Sequence, residues 1–462
     1  MSSTTLELTI EMPALDEASS WQAVEALLVE MGRDVPRQAL AQALYDAQER
    51  LIDGVCGPKW APVRGLPAPF VCPKCQADND FARKGRRTRP RVLRTAAGRV
   101  EIILWHVGCR GCKRVFAPLL LMLDLGGKRR TDRLTVDLAE LASQMSFARA
   151  ARVDAQLAGT GATAGQAHGA VADVAAVLAP DGVLGPAHAS PDVVLFDGTG
   201  VRAGSGKNGV GANLAIGLSG RSGPAGRRRA HSHLLGLTVG EDWSMMGAQL
   251  QGVNAPALVV VDGETVITTL AQRLWPATPI QRCWWHLPHG LRKALYADDA
   301  ANRHNSGPWA RTKSEALREL LREQIRHEAS AEEALTAWDA FTDTIPSSLS
   351  SARAYLDGAR PHAFTCLDPA LRRRLARLGG PELGTGVLER LMRELNARTD
   401  IGGSRWSIPG LRDLLTVHTA RLLGHPAWRN LHRATHPTST IAFSLQKFNE
   451  AGRYRAGRPS AR

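Results

Sequence analysis

The chain lacks an apolar run long enough to cross a bilayer. Its longest run, Val115 to Leu123, ends at Asp124 after nine residues, whereas a membrane-spanning helix needs about 20. The first residues, MSSTTLELTIEM, have no basic start followed by an apolar stretch, so we expect neither a secretory signal nor a transit peptide. These features predict a cytoplasmic protein with no membrane partner.

Glycine and proline are too scarce for a fibrous or disordered protein. The 462 residues include 44 Gly and 26 Pro without a Gly-X-Y period, and 44% of the residues are apolar. At this length about three domains are expected, each able to bury a core. The seven cysteines are an odd number in a reducing compartment, which argues against a disulfide framework and favours metal ligation.

Acidic residues are the scarcer charged class. The chain has 44 Asp and Glu against 58 Lys and Arg, which gives a formal net charge of +14 and a pI near 10. A basic surplus of this size favours a polyanionic partner, and nucleic acid is the leading candidate.

Four cysteines have the spacing of a zinc site. Cys72 and Cys75 form one C-x2-C pair, Cys109 and Cys112 form a second, and each pair can supply two thiolates to a tetrahedral Zn²⁺. Redox chemistry of a single C-x-x-C would explain only half of the pattern. Between the pairs, a turn at Ala97-Gly98 leads into an alternating strand, which favours a zinc ribbon over residues 58–130. Because such a ribbon has little core, the metal should supply much of its folding energy.

Basic residues are concentrated in the same region. They are candidates for phosphate contacts, although a solvated loop is the alternative. Those between the two cysteine pairs are Arg83, Lys84, Arg86, Arg87, Arg89, Arg91 and Arg94, and those that follow are Lys128, Arg129, Arg130 and Arg133.

Helical patterns flank the ribbon. Residues 16–53 carry two of them, with Pro36 at a first-turn position, which predicts a helical segment over 1–57. Residues 131–180 carry three, and the glycine turn before Thr163 has helix-turn-helix spacing. On that interpretation Gln166 and His168 face outward to read DNA, whereas an ordinary helical bundle is the alternative.

A second domain is predicted to begin near residue 190. Its pattern is βββαβαβα, with strands at 192–197, 212–220, 232–240, 257–262 and 279–285 and helices at 245–251, from 264 to 274 and near 288. Residues 300–379 are almost wholly helical, a further helix follows at 386–398, and 431–462 form a basic tail. GSGKNG at 204–209 lacks the phosphate-loop pattern and is predicted to be a hairpin turn.

Two carboxylates end apolar runs of this domain. An Asp-Gly pair after a strand is usually a turn, but Asp197-Gly198 and Asp262-Gly263 follow two strands that we expect to be neighbours. With one more carboxylate from a helix, they would form an all-oxygen site for two Mg²⁺ ions. Such a site activates a water or sugar hydroxyl against a phosphodiester.

This combination resembles the ribonuclease H-like fold of DDE transposases. The motif PIQRCWWH resembles the Cys-x2-His motif of Mutator-like transposases and their bacterial insertion-sequence relatives, here Cys283 and His286. The stretch 300–379 lies where those enzymes insert an all-helical domain. GTGVLERLM is similar to their Thr-Asn-x-x-Glu-Arg segment, with Gly386 in place of the usual Asn, and it points to Glu389 and Arg390. The ribbon, the hairpin and the helix-turn-helix also resemble those of one insertion-sequence group.

The resemblance implies a multi-domain α/β protein in which a zinc ribbon and a helix-turn-helix precede a catalytic domain made of 190–299 and 380–430. Asp197, Asp262 and Glu389 would then hold Mg²⁺ or Mn²⁺, with His286 and Arg390 beside them. The implied partners are transposon end repeats and target DNA, and the implied assembly is a homodimer or larger. A DNA-binding descendant without cutting activity and a structure-selective nuclease are the alternatives.

The apolar stripe of the last helix bears on the third carboxylate, for which Glu382 and Glu394 compete with Glu389. At about 100° per residue, Glu389, Arg393 and Asn396 fall together opposite the apolar stripe. Trp284 and Trp285 flank the Cys-x2-His histidine, and we expect one in the core and one toward substrate, where a flipped base could stack.

Overall fold

The computed structural model describes residues 21–203, 209–222, 229–240, 243–298, 303–378, 386–401, 405–436, 447–448 and 454–455. Within these ranges helices and a mixed sheet form a multi-domain α/β chain, and no helix there is long and apolar enough to cross a membrane. The hairpin turn predicted at 204–209 and the competing Glu382 lie outside the described residues, apart from Gly209.

The N-terminal part joins one long helix to two small sheets. Helix α1 spans Trp21–Cys56, strand β1 spans Phe81–Arg86, and β2 (Arg91–Thr95) forms a hairpin with β3 (Gly98–Ile102). Strand β4 (Trp105–Cys109) pairs antiparallel with β1 and with β5 (Val115–Phe116), and helix α2 spans Pro118–Met122. Buried residues of α1 pack into two small apolar cores with these strands, among them Leu44, Ile52 and Val55.

The expectation of two helices divided at Pro36 is wrong. Helix α1 continues through that residue. A proline removes one hydrogen bond and bends a helix, but it does not have to end it. Arg33 and Arg37 form ion pairs with Glu30 and Asp34, respectively, and these i,i+3 pairs support the turns on both sides of Pro36.

The three helices predicted over 131–180 are confirmed as α3 (Asp132–Gln144), α4 (Phe147–Ala158) and α5 (Ala164–Leu178). Thr131, Ser146 and Thr163 cap their N-termini through side-chain oxygens, and Gly159 ends α4 in the left-handed conformation with φ 64°. Helices α3 and α5 bury apolar residues in the same core as the large sheet that follows.

That sheet has the predicted element order. Strands β6 (Val193–Val201), β7 (Val210–Ser222) and β8 (Arg229–Val239) are antiparallel, and α6 (Trp243–Gln249) follows them. Strand β9 (Leu258–Val261), α7 (Thr265–Leu274), β10 (Ile280–Arg282) and α8 (His286–Asp298) come next, and β6, β9 and β10 run parallel. The strand order is β10-β9-β6-β7-β8.

The sheet is buried on both faces. Val193 and Leu195 of β6 belong to one core, whereas Val194 and Phe196 belong to the other, which α6 and α7 cover. Successive side chains of a strand point to opposite faces. Asp197 therefore points to the same face as Val193 and Leu195, and Asp262, in step with Leu258 and Val260, continues toward that face.

The remaining helices follow the sheet in sequence. They are α9 (Arg303–Arg326), α10 (Ala331–Asp343), α11 (Ser350–Ala359), α12 (Pro369–Leu375), α13 (Gly386–Thr399), α14 (Ile408–Leu422) and α15 (Pro426–Thr435). Buried residues of α13 and α14 lie in the same core as Val193 and Leu195, so these two helices cover the face to which Asp197 points. Two short strands, β11 (Lys447–Phe448) and β12 (Tyr454–Arg455), pair near the end of the chain.

Candidate metal centres and a cationic surface

The four ribbon cysteines come together in the structure. Their sulfur atoms all lie within 4.8 Å of one another, with Cys72 Sγ 3.5 Å from Cys112 Sγ and Cys75 Sγ 3.6 Å from Cys109 Sγ. Four thiolates placed tetrahedrally at about 2.3 Å from Zn²⁺ lie about 3.8 Å apart, close to these separations. The donor set and its spacing therefore fit a structural zinc ion.

The two cysteine turns have the same backbone geometry. Gln76 and Lys113, each directly after a second cysteine, have φ 59° and 63°, and each donates its N–H to the carbonyl of the first cysteine of its pair. Burial alone would raise the pKa of Cys72, but N–H groups of Cys75 and Lys74 and the neighbouring thiols lower it to about 6. Against the N–H of Ala77, the sulfurs of Cys112 and Cys109 raise the pKa of Cys75 to about 12, so the clustered thiols share protons, and binding of a metal would release them.

A second cluster joins the sheet to two helices. His286, the first residue of α8, places Nε2 3.9 Å from Asp197 Oδ1 and 3.7 Å from Glu389 Oε1. One ligand atom from each of these residues lies within 4.8 Å of the other two. Two carboxylates and an imidazole can hold a divalent cation, so the structure contains a possible metal-binding group here.

The structure places Asp262 next to this cluster but outside it. The parallel register pairs Leu195 with Val260, so Asp197 and Asp262, each two residues further on, lie at the same level of the sheet. Asp262 Oδ1 accepts the N–H of Glu264 at 2.9 Å, immediately before α7. Asp197 itself lies within β6 and does not end it, because the strand continues to Val201.

Helix α13 is hydrogen-bonded to β6, the strand that carries Asp197. Thr199 Oγ1 on β6 donates to Asn396 Oδ1 on α13 at 3.1 Å, and Leu388, Leu391 and Leu395 are buried. The predicted face of Glu389 and Asn396 therefore points to the site. Glu394 is exposed and lies outside the cluster.

Burial makes the ionised form of this cluster costly. It raises the pKa of Asp197 to about 7, against the opposing N–H of Gly198 and with support from the charges of Glu389, Asp262 and Glu264. Burial also raises the pKa of Glu389 and lowers that of His286. A bound cation would favour the carboxylate forms and so offset this cost.

This electrostatic cost predicts a pH-dependent effect of Asp197→Asn on stability. The pKa of Asp197 is raised on folding, so the folded state binds more protons than the unfolded chain between about pH 4 and 7, and stability is lost as the pH rises through that range. The ionised side chain costs up to about 4 kcal/mol above pH 7. In Mg²⁺-free buffer with zinc retained, the thermal midpoint of the parent protein should fall more between pH 5 and 8 than that of the variant.

The matched control is Asp181→Asn, since Asp181 is exposed. Its pH dependence should follow that of the parent protein. If Asp197→Asn and the parent protein lost stability in parallel from pH 5 to 8, Asp197 would be ionised without cost in the folded state.

The Cys-x2-His motif builds the start of α8. Cys283 is fully buried in the large core. Its sulfur accepts the N–H of His286 at 3.4 Å and so helps to fix the backbone position of the histidine. Trp284 packs on Phe364 and donates to the carbonyl of Ala363, whereas Trp285 is 48% exposed. The two tryptophans therefore differ in exposure as expected, and a contact of Trp285 with substrate stays a prediction. The predicted cause, alternation along a strand, is wrong, because β10 ends at Arg282 and both residues follow it.

Two arginines differ from expectation in their distance from the site. Arg390 is exposed on α13, outside the cluster. Arg282, which sequence reasoning missed, is 8% exposed and lies against Gly263, where a Cβ would come within 1.3 Å of its guanidinium. Its charge helps to lower the pKa of His286. An arginine inside a buried strand just before the Cys-x2-His motif was the available signal.

The predicted phosphate-binding residues divide into two groups. Several have protein partners: Arg83 pairs with Asp53, Arg86 with Glu49, Lys128 with Asp124 and Asp132, and Arg130 with Asp173, while Arg91 donates to the carbonyls of Gly126 and Lys128. Lys84, Arg87, Arg89 and Arg129 are exposed and make no ion pair with any described residue. Arg94 is half-buried, and its Nε has no hydrogen-bond partner in the described part of the chain.

In α5, the helix predicted to read DNA, one of the two candidate residues takes part in the helix cap. Gln166 completes a capping box with Thr163, accepting the Thr163 N–H at 3.0 Å. His168 is exposed, with its ring edge-on to Phe147 at 5.1 Å. DNA reading by α5 stays a prediction.

No protein-family model matches the chain, and no curated protein sequence matches it significantly.

Proposed function

We propose that the protein is a DDE transposase with a ribonuclease H-like catalytic domain, which binds transposon ends and carries out Mg²⁺-dependent cleavage and strand transfer. The observation that carries the proposal is the convergence of Asp197, His286 and Glu389, with Asp262 at the same level of the sheet. Three antiparallel strands followed by two parallel ones, in the order β10-β9-β6-β7-β8, support the assigned fold.

The chain's own residues have distinct roles in this proposal. Asp197, Glu389 and Asp262 supply carboxylate oxygens for Mg²⁺ or Mn²⁺, which when bound would activate the attacking hydroxyl and stabilise the leaving oxygen. His286, between Asp197 and Glu389, orients these carboxylates or donates to a phosphate oxygen. Arg390, next to Glu389 and exposed, offers its charge to the DNA backbone.

The ribbon and the helices that follow it hold DNA in this proposal. The zinc ribbon of residues 58–130 and the helices of 131–180 bind transposon end repeats, the helices of 300–379 form an insertion in the catalytic domain, and residues 431–462 form a basic tail. Water attacks the scissile phosphodiester first, and the freed 3′-hydroxyl then attacks target DNA. Because two ends must be joined, the active form is a homodimer or larger, in the cytoplasm and associated with the nucleoid.

The DNA that flanks the reading frame provides the first test. We expect imperfect inverted repeats on both sides, bounded by short direct duplications. A labelled duplex carrying those repeats should then be cut by the purified protein in Mg²⁺ and left intact without a divalent cation. Binding without cutting would instead favour a DNA-binding descendant. Cutting without joining of pre-cut ends to a target would favour a nuclease.

A further inference from the structure

A cleft of about 880 Å³ lies in the ribbon, and no residue of either candidate metal centre lines it. The β2–β3 hairpin, the end of β1, the strands β4 and β5, and helix α2 contribute to its walls. Seven arginines from distant parts of the sequence line it: Arg87, Arg89, Arg91, Arg94, Arg99, Arg114 and Arg129. No acidic side chain belongs to the lining within the described residues.

The cationic charge of this arginine cleft is largely uncompensated. Arg99 pairs with Glu101 at 2.7 Å, but Arg89, Arg114 and Arg129 are exposed and make no side-chain ion pair or hydrogen bond with the described residues. Burial and the charges of Arg129 and Arg87 lower the pKa of Arg91. Cations held this close repel one another, and an anion between them would remove that repulsion.

Two buried donors of the cleft also lack partners. The Nε atoms of Arg91 and Arg94 are shielded from solvent and make no hydrogen bond to any described residue. An unpaired buried donor destabilises the folded state, and more so when it is charged. The guanidinium groups of Arg91 and Arg94 are therefore incompletely hydrogen-bonded within the described residues, which leaves part of their charge uncompensated at the cleft.

The cleft also has an apolar lining. Its apolar residues are Val92, Leu104, Val115, Phe116, Ala117 and Leu120, and Val115 is 47% exposed. A duplex presents its phosphates outward and keeps its base faces stacked inside, so apolar residues among the arginines would gain little from it. A single strand offers phosphates to the arginines and unstacked bases and sugars to the apolar lining.

We infer that the arginine cleft binds one unpaired DNA strand, with arginines on its phosphates and the apolar lining residues against its bases and sugars. The inference depends on the proposed function only in taking DNA as the polyanion. The proposed DNA contact then excludes Arg83, Arg86 and Arg130, which are paired with acidic residues. It includes Arg99 and Arg114, which were not predicted from the sequence. A transposase would meet such a strand where an end is melted or has been cut.

The test is the simultaneous replacement of Arg89, Arg114 and Arg129 by Gln in the full-length, zinc-loaded protein. The probes are a mixed-sequence single-stranded 20-mer and the corresponding duplex, with binding measured by fluorescence anisotropy across a salt series. Three lost phosphate contacts should reduce the single-strand salt slope by about 2 and weaken single-strand binding about fiftyfold at 0.15 M salt. Duplex affinity should fall no more than it does in the control.

The control removes three charges elsewhere, with Arg311, Arg373 and Arg374, all exposed on helices after the sheet, replaced by Gln. A second variant with Lys at positions 89, 114 and 129 should keep most of the single-strand affinity, and zinc content and melting temperature verify folding. Equal losses in the cleft and control variants, or a loss confined to the duplex, would overturn the inference. If the cleft binds a single strand but the protein shows no Mg²⁺-dependent cleavage, the strand-binding inference is supported and only the proposed transposase function is contradicted.

Discussion

Glu389→Gln is expected to abolish Mg²⁺-dependent cleavage, lowering the rate by at least about a thousandfold, while leaving the affinity for end DNA within about twofold. The amide keeps the size and hydrogen bonding of the carboxyl group but removes the charge that a hard cation needs, and one lost charged ligand costs several kcal/mol of metal-assisted stabilisation. Glu389 lies on α13 with Oε1 3.7 Å from His286, away from the ribbon. Cleavage of a labelled end duplex and its equilibrium binding, measured on the same preparation, separate the two effects.

The matched control is Glu394→Gln, five residues further along the same helix. Glu394 is exposed and outside the cluster, so its variant should cut at close to the parent rate. A variant at 389 that still cuts, together with one at 394 that does not, would shift the register of the catalytic helix by more than a turn. If both variants cut, neither glutamate would be a metal ligand.

The sheet could be predicted from the sequence because its strands are short apolar runs in a recognisable order. Asp197 and Asp262 each follow such a run, and a strand order that pairs the two runs in parallel brings both residues to one level. The position of Glu389 could not be predicted from helix periodicity alone, because periodicity defines a polar helix face but not the element against which that face packs. The hydrogen bond from Thr199 to Asn396 fixes that face over β6, and no local pattern contains it.

Other features depend on contacts between distant segments. The approach of Arg282 to Gly263 depends on the parallel pairing of β10 with β9, in which Arg282 lies opposite Val261. The hydrogen bond between His286 and Cys283 is local, but it depends on α8 beginning within four residues of the end of β10. The predicted phosphate-binding residues share a position near the cysteine pairs in sequence, and this proximity does not distinguish Arg130, which is paired with Asp173 of α5, from the exposed Arg129 beside it. Arg99 and Arg114 belong to the same basic region of the sequence but were not among the predicted residues, and their approach to Arg89 in one cleft is a result of folding.

We predict one tightly bound zinc ion per chain, and Cys109→Ser is expected to abolish its binding and to unfold the ribbon. The four sulfur atoms form one group, and a serine oxygen at one corner replaces a thiolate, the ligand that gives structural zinc sites their affinity. Because the ribbon buries only small apolar cores, we expect the metal to contribute a large part of its folding free energy. Metal analysis should fall from one zinc per chain to nearly none.

The damage should stay within the N-terminal part. The two ribbon cores and the two cores of the large sheet have no buried residue in common, so loss of the metal leaves the packing around Asp197 intact. Limited proteolysis should therefore cut Cys109→Ser between residues 58 and 130 and spare the fragment that follows. Single-strand binding by the arginine cleft should be lost with the ribbon, since β4 and β5 form part of its walls.

Two further cysteines provide the comparison. Cys56 is buried in the ribbon core and Cys283 in the large core, and neither belongs to the four-sulfur group. Cys56→Ser and Cys283→Ser should each retain one zinc, whatever their effect on melting temperature. Stoichiometric zinc in Cys109→Ser, or its loss in Cys283→Ser, would mean that the metal is held elsewhere. The matching turns around Cys72 and Cys109 would then be a product of chain geometry alone.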